Sequence, residues 1–296
     1  MSNSMAASVA RLVVAGLLKP AFSPRVPLAV QRRWVAMATA LLPPPRGVRF
    51  EKVTLGGVSC ERAMPRTPGA GTIVYLHGGG YVLGSPRTHR SITGRLAREA
   101  GMSVVVPSYR LAPEHPHPAA LDDARAVFDA LVRGGTSPAH IVLAGDSAGG
   151  GLALALCLAL RAAQVAQPAG LALISPWCDL SNTRLAHVPF DPLLSARWLE
   201  FCASAYAAHQ GRSDPLVSPL LEKLSCLPPM LVHVAGQEVL LEDSRRLAEA
   251  CARAGVPCQL REFGPLWHDF QLYAGVVPEA TQSVKELAAF AQRHAP

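Results

Sequence analysis

Hydrophobic residues follow a helical period in the first 45 residues of the chain and a different pattern after them. Apolar positions recur at helical spacing in two early segments, 6–18 and 27–42. Lys19-Pro20 separates these segments and Pro43-Pro44-Pro45 follows the second one, and proline interrupts or ends a helix. The pattern therefore predicts two N-terminal helices.

Short strand-like runs replace the helical pattern from residue 49 onward. Arg49–Leu55 and Ser59–Met64 meet at Gly56-Gly57 and predict an antiparallel hairpin. The later runs, which alternate with helix-length segments, are Thr72–Leu76, Ser103–Val106, His140–Ala144, Leu171–Ile174, Met230–Val234 and Gln259–Phe263. This alternation predicts the α/β class, with a mostly parallel central sheet and helices on both of its faces.

One long interval, residues 177–227, contains no strand-like run yet is rich in aromatic residues. A long insertion after a strand often forms a lid over a site. We therefore divide the chain into an N-terminal helical cap segment, residues 1–45, and an α/β domain, residues 46–296, whose insertion contributes to the cap. The candidate pocket residues in these cap segments are Trp34, Phe190 and Trp198.

The composition is that of a globular chain, because half of the 296 residues are apolar and 17% are charged. The net charge of +7 comes from basic residues that stand singly or in pairs, such as Arg32-Arg33, without a dense cluster. This distribution predicts a solvated basic surface and no nucleic-acid partner. The 7 cysteines include no CxxC pair, which favours reduced thiols over disulfides or a zinc site.

The N-terminal apolar stretch Leu12–Leu18 is too short to span a bilayer. Lys19-Pro20 follows it without the small-residue cleavage site of a signal peptide. We therefore predict a cytoplasmic protein with no stable membrane span. The stretch is expected to be an amphipathic helix that docks on the body of the protein or touches lipid.

The strongest chemical signal is a G-x-S-x-G motif, Gly145 to Gly149, with Ser147 at its centre. It lies directly after the strand-like run His140–Ala144 and directly before an apolar helical run. A sharp turn from strand to helix needs small flanking residues, and it leaves the serine hydroxyl exposed near a helix N-terminus. Ser147 is therefore predicted to be a catalytic nucleophile.

A glycine-rich loop, His77-Gly78-Gly79-Gly80, directly follows the strand-like run Thr72–Leu76. Consecutive glycines let backbone N–H groups point at one anion, and such a loop forms part of an oxyanion hole in esterases. The remaining donor is the amide of the residue after the nucleophile. The predicted oxyanion donors are the amides of Gly79, Gly80 and Ala148.

The general base and its acid should follow the nucleophile in the order serine, acid, histidine. His268 stands in a loop just beyond the last strand-like run, where a base can reach Ser147. Glu238 follows the run Met230–Val234 and is the first candidate for the acid. Asp243, in the first turn of the next predicted helix, is the alternative.

Together these motifs resemble the hormone-sensitive-lipase-like branch of the α/β-hydrolases, as found in bacterial family IV esterases. The likeness rests on His77 to Gly80, on Tyr109 to Glu114, on Gly145 to Gly150, and on the loops of Glu238 and His268. The resemblance implies an α/β-hydrolase fold with a helical cap at the N-terminus. It also implies hydrolysis of short- to medium-chain carboxylic esters without a metal or an organic cofactor.

Two residues depart from the pattern of the family that the chain resembles. Its acid is more often aspartate, and here the position holds Glu238. The residue after the histidine is often glycine, and here it is Asp269, whose carboxylate would raise the pKa of His268 if it turned inward.

The sequence thus predicts a serine carboxylesterase that acts on a small-molecule ester through an acyl-enzyme intermediate. Three alternatives remain open: a non-catalytic ligand-binding protein on the same fold, an amidase, deacetylase or lactonase, and a membrane-associated lipase. The strand-like run Gln259–Phe263, at an expected sheet edge, could pair two subunits into a homodimer.

Overall fold

The computed structural model describes residues 4–186, 188 and 191–296, and these form a mostly parallel eight-stranded sheet flanked by helices. The strands are β1 (Val48–Leu55), β2 (Val58–Pro65), β3 (Thr72–Leu76), β4 (Ser103–Pro107), β5 (Ile141–Asp146), β6 (Gly170–Ile174), β7 (Met230–Ala235) and β8 (Cys258–Phe263). Their order across the sheet is β1-β2-β4-β3-β5-β6-β7-β8. The predicted fold class is confirmed.

The longer helices alternate with these strands, as the sequence pattern predicts. They are α1 (Met5–Val13), α2 (Leu28–Thr39), α3 (Arg90–Ala100), α4 (Ala119–Arg133), α5 (Ala148–Ala162), α6 (Ala196–Ala207), α7 (Leu241–Arg253) and α8 (Pro278–His294). Helix α3 packs against α8, and α4 packs against α5. Within the described part of the chain, every helix is too short or too polar to cross a membrane.

The central strands owe their position to continuous apolar sequence. Every residue of β3, β5, β6 and β7 is buried, as expected for parallel strands covered on both faces. β8 lies at one edge and alternates between partly exposed and exposed residues from Cys258 to Arg261, after which Glu262 is exposed and Phe263 is buried. The predicted edge position of the 259–263 run is therefore confirmed.

The predicted hairpin is also confirmed, and it forms the opposite edge of the sheet. β1 and β2 pair in antiparallel register from Val48 with Pro65 to Leu55 with Val58. Gly56 and Gly57 make the turn with φ of +58° and +82°, a conformation that suits glycine. β2 then pairs in antiparallel register with β4, which joins the hairpin to the parallel strands.

The N-terminal segment docks on the body of the protein. Ala7, Ala10 and Val14 are buried, and the Ser4 amide and hydroxyl donate to the Glu279 carboxylate at 2.7 and 2.8 Å. The apolar stretch is not one continuous α-helix as predicted, because a π-helical turn follows α1 at Val14–Leu18. The docking expected from the sequence is nevertheless present.

The interval 177–227 contains a single long helix, α6, and no strand among its described residues. Trp198 of α6 packs against Phe22 of the N-terminal segment, with ring centroids 4.8 Å apart. Trp198 Nε1 also donates to Oε1 of the buried Gln31 at 3.0 Å. The insertion and the N-terminal segment therefore contact each other directly.

Candidate active site

A strained turn between β5 and α5 presents Ser147. β5 ends at Asp146 and α5 begins at Ala148, and Ser147 between them has φ 53° and ψ −122°. The Ser147 amide donates to Ile174 O at 2.9 Å, which fixes the turn to the neighbouring strand. A Cβ at Gly149 would lie 2.0 Å from Leu76 O, so only glycine fits at this crossing of strand and helix.

The loop after β3 lies beside this turn and supplies free amides. Gly79 has φ +120°, which an L-residue rarely adopts, and its carbonyl accepts from the amides of Val82 and Leu83. Among the described residues, no acceptor takes a hydrogen bond from the amides of Gly79, Gly80 or Ala148. Amides without an acceptor can donate to a negatively charged oxygen, which is the property that an oxyanion hole requires.

Glu238 holds His268 from one side. Glu238 Oε1 lies 3.1 Å from His268 Nδ1, and both side chains are almost completely buried. The second oxygen, Oε2, accepts from Ser175 Oγ at 2.7 Å and from the Ala235 amide at 3.0 Å. These bonds fix the carboxylate, and the carboxylate in turn orients the imidazole.

Asp243, the alternative acid, has a different set of contacts. Its Oδ2 accepts from the amides of Cys178 and Asp179 at 2.8 and 2.9 Å, at the start of the insertion. Burial raises the pKa of Asp243 to about 7. Of the two acids that the sequence left open, the structure brings Glu238 to the imidazole of His268.

Asp269 faces the other nitrogen of the same imidazole. Its Oδ2 lies 3.0 Å from His268 Nε2, although the contact is not aligned as a hydrogen bond. Its Oδ1 has no hydrogen-bond partner among the described residues. Burial opposes charge on His268, but Asp269 and Glu238 outweigh it and raise the pKa of His268 well above its usual value. Burial raises the pKa of Asp269 to about 7.

A cluster of buried polar and aromatic side chains lies next to the glycine-rich loop. Asp146 accepts from Tyr75 Oη at 2.7 Å and lies 3.2 Å from His89 Nε2. His77 stacks on Tyr109 with ring centroids 4.2 Å apart. Burial lowers the pKa of His77 to about 3, so this histidine is neutral, and its Nδ1 lies 2.9 Å from Gly78 O within the same loop.

A cavity of about 60 Å³ brings these groups together. Its lining comprises Leu18, Phe22, Val35, Thr39, Gly78, Gly79, Gly80, Leu83, Gly84, Thr88, His89, Asp146, Ser147, Leu193, Leu194, Trp198, His268, Asp269 and Leu272. Trp198 is thus in the wall, whereas Trp34 is not, and Phe190 lies outside the described residues. Trp34 is 45% exposed because its position on α2 faces away from the cavity that Val35 and Thr39 line.

Two residues of the site were not found from the sequence. Ser175 follows β6 as Glu238 follows β7, and neighbouring parallel strands end at the same edge, so its position was a usable signal. His89 precedes the nucleophile by 58 positions in the chain, and no local pattern marks it. Among the described residues, no group of three or more His, Cys, Asp or Glu side chains is placed to hold a metal ion.

A serine at a strand–helix turn, a histidine and a carboxylate, all at the C-terminal edge of a mostly parallel sheet, define the serine hydrolases of the α/β-hydrolase fold. A family model described as the alpha/beta hydrolase fold matches residues 73–272 of this chain. The chain belongs to that family, and within it to the hormone-sensitive-lipase-like branch that the sequence motifs resemble.

Known proteins that are similar over most or all of the chain support this assignment. A putative acetyl-hydrolase LipR of Mycobacterium tuberculosis is 38% identical, over 97% of this chain and 94% of its own. An acetyl-hydrolase of Streptomyces hygroscopicus is 39% identical, over 80% of this chain and 81% of its own. The crystal structure of an esterase from the bacterial hormone-sensitive lipase family matches with a TM-score of 0.95 and 33% identity, over 100% of both chains.

Proposed function

We propose that this protein is a serine carboxylesterase that cleaves esters of short acyl chains, with acetyl esters as its best substrates. One observation carries the proposal. A single small cavity has Ser147, His268 and the glycine-rich loop in its wall, so a nucleophile, a base and anion-binding amides face the same space.

The reaction follows from the roles of these groups. Ser147 Oγ attacks the ester carbonyl carbon while His268 accepts its proton, and the amides of Gly79, Gly80 and Ala148 bind the carbonyl oxygen as it becomes negative. His268 then gives the proton to the departing alcohol, which leaves the acyl group on Ser147. Water, deprotonated by His268, attacks this acyl-enzyme, and His268 returns the proton to Ser147 Oγ as the bond between Oγ and the acyl carbon breaks and the acid leaves.

Glu238 acts through His268. Because its Oε1 faces Nδ1, the carboxylate keeps the proton of the neutral imidazole on that nitrogen and leaves Nε2 to accept from Ser147. Once Nε2 takes the proton, the same carboxylate stabilises the imidazolium.

The size of the cavity favours a short acyl group. A volume of about 60 Å³ accommodates a group of a few heavy atoms, and Leu193, Leu194 and Trp198 close it on the side of the insertion. The names of two relatives, which are acetyl-hydrolases, point to the same substrate class. We also propose that residues 1–45, together with the insertion 177–227, act as the cap over the rest of the α/β domain, residues 46–296. The cytoplasmic location and the homodimer remain predictions.

The proposal is tested by initial rates with p-nitrophenyl esters from acetate to palmitate. We expect kcat/KM to be highest for acetate and to fall by at least about tenfold by octanoate, because longer chains exceed the cavity. Ser147→Ala should abolish turnover of every ester. Equal or rising rates toward palmitate would contradict the short-chain assignment, and undiminished turnover by the Ser147→Ala variant would contradict the serine mechanism.

A further inference from the structure

Exposed apolar side chains are concentrated in the N-terminal segment. Nine of the eleven large hydrophobic residues exposed in the described chain lie between residues 5 and 41. We call them the N-terminal apolar surface: Met5, Val9, Leu12, Val13, Leu17, Val30, Trp34, Met37 and Leu41. Elsewhere in the described part of the chain, the only exposed large hydrophobic residues are Leu221 and Val276. Large apolar patches on a protein surface mark contact with a partner or a membrane.

Helix α1 is apolar on two opposite faces. Its inner face packs Ala7 and Ala10 against the body of the protein. Its outer face carries Met5, Val9 and Leu12, which recur at i, i+4 and i+7 and are 57–84% exposed. A helix that only needed to cover the core would have a polar outer face, so the second apolar face of α1 is a candidate contact surface.

Helix α2 repeats this arrangement. Val30, Trp34 and Met37 follow the same spacing and are 45–72% exposed. Trp34 Nε1 donates to Leu17 O at 2.7 Å, which connects the outer face of α2 to the end of the π-helical turn after α1. An indole that is half buried and hydrogen-bonded at its edge is typical of tryptophan at the boundary between lipid and water.

The charge of this segment is entirely positive. The first 50 residues contain no aspartate or glutamate, and residues 1–45 contain five basic residues, Arg11, Lys19, Arg25, Arg32 and Arg33. Arg25 and Arg33 are exposed, and neither forms an ion pair with a described acidic residue. Apolar side chains flanked by unopposed basic residues match an anionic lipid surface.

A second copy of the chain fits this surface less well. In a two-fold symmetric dimer the same patch meets itself, so the positive segment of one subunit would face that of the other. Like charges brought together at an interface oppose association. A bilayer of anionic lipids meets both the apolar and the basic requirement without this cost.

We propose that the N-terminal apolar surface adsorbs in the interfacial plane of an anionic lipid bilayer. The inner side of the same segment lines the cavity through Leu18, Phe22, Val35 and Thr39. Adsorption would therefore hold the cavity next to the membrane. The proposal concerns binding alone and is independent of which ester the site cleaves.

Co-sedimentation with vesicles of phosphatidylglycerol and phosphatidylcholine tests the proposal. The native chain should sediment with mixed vesicles, bind pure phosphatidylcholine less, and release as salt is raised. Leu12→Ser with Met37→Ser should lower the partition coefficient about a hundredfold, because each side chain loses its lipid contact. Leu221→Ser with Val276→Ser, which removes two exposed side chains elsewhere, is the matched control and should bind as the native chain does.

A second pair of variants separates charge from hydrophobic contact. Arg25→Glu with Arg33→Glu should weaken binding to anionic vesicles by about tenfold or more, whereas Arg133→Glu with Arg293→Glu, the same change in net charge, should weaken it far less. Hydrolysis of a soluble acetate ester by every variant reports correct folding.

Three results would overturn the proposal: no sedimentation of the native chain with anionic vesicles, equal losses in the control variants, or a native dimer that Leu12→Ser with Met37→Ser converts to a monomer in analytical ultracentrifugation. The last result would assign the surface to a second copy of the chain.

Discussion

At the residue scale, the extra methylene of Glu238 is accommodated because both of its carboxylate oxygens are engaged. Oε1 faces His268 Nδ1, while Oε2 accepts from Ser175 Oγ and the Ala235 amide. An aspartate at the same backbone position would reach less far and could not keep all three contacts. Ser175 therefore positions the acid, and through it the imidazole.

Glu238→Gln should lower kcat by about 10³- to 10⁴-fold, because a neutral amide neither fixes the tautomer of His268 nor stabilises the imidazolium. Asp243→Asn is the matched control, since its amide oxygen can still accept from the Cys178 and Asp179 backbone. Steady-state kinetics on p-nitrophenyl acetate should show that variant within a few-fold of the native rate. The reverse ranking of the two variants would make Asp243 the functional acid.

Asp269→Asn should move the acidic limb of the kcat/KM profile to lower pH. Activity requires neutral His268, and Asp269 raises the pKa of His268, so the native enzyme loses activity as the pH falls through a pKa above the ordinary value for histidine. Removing the carboxylate lowers that pKa. Asparagine tolerates the left-handed φ of 56° at this position.

The control for the pH profile is Glu249→Gln. Glu249 is an exposed acidic residue of α7, and its substitution changes the net charge by the same amount. Its profile should overlay that of the native enzyme. An unchanged acidic limb in Asp269→Asn would show that the carboxylate does not influence the proton on Nε2.

The positions of Ser147, His268 and Glu238 could be predicted because each follows a strand in the order that the motif requires. The sequence did not predict which way Asp269 turns, only that its carboxylate would raise the pKa of His268 if it turned inward. In the structure it does turn inward, toward His268 Nε2. The contact of His89 with Asp146 could not be predicted, because it joins the end of β5 to the short helical turn before α3, and only the folded sheet brings these together.

At the element scale, the strand–turn–helix unit around Ser147 depends on how closely α5 approaches β3. Gly149→Ala would place a methyl group 2.0 Å from Leu76 O, a backbone atom that cannot move aside without shifting the strand. We expect a loss of about 3 kcal/mol or more in the free energy of unfolding. Urea denaturation measures it, and Gly16→Ala, which meets nothing within 4 Å, should leave stability unchanged or slightly higher.

The cap elements set the acyl length, and Trp198 is the side chain to test. Trp198→Ala should enlarge the cavity and shift the preferred p-nitrophenyl ester toward longer chains, by two or more carbons at about equal kcat. Trp34→Ala changes the same residue type outside the lining and should leave the preference where it is. An unshifted preference in Trp198→Ala would mean that the acyl chain lies elsewhere.

The strands were predictable within a few residues, because buried parallel strands are continuous apolar runs, and so was the alternation of these strands with helices. The π-helical turn Val14–Leu18 was not, since its apolar sequence also suits an α-helix. Neither was the precise path of the insertion, where Asp191 caps the amides of Leu193 and Leu194 and accepts from that of Val239.

At the scale of the whole molecule, two distant segments complete one site. Gln31 of α2 donates to Ser23 O and Val26 O and accepts from Trp198 Nε1, so the N-terminal segment and the insertion share one buried polar residue. The order of strands across the sheet could not be read from the pattern, because many orders satisfy the same alternation. The sequence pattern did predict that the sheet is mostly parallel and that the functional loops meet at one edge of it.

We infer that Ser147 is the nucleophile and that His268 activates it. Incubation with diethyl p-nitrophenyl phosphate, followed by peptide mass spectrometry, tests it most directly, because an activated serine takes up the phosphoryl group and an ordinary serine does not. We expect one diethylphosphoryl group per chain, on Ser147, with activity lost in proportion, and almost none in a His268→Ala variant. Modification of another residue, or full activity after Ser147 is modified, would contradict it.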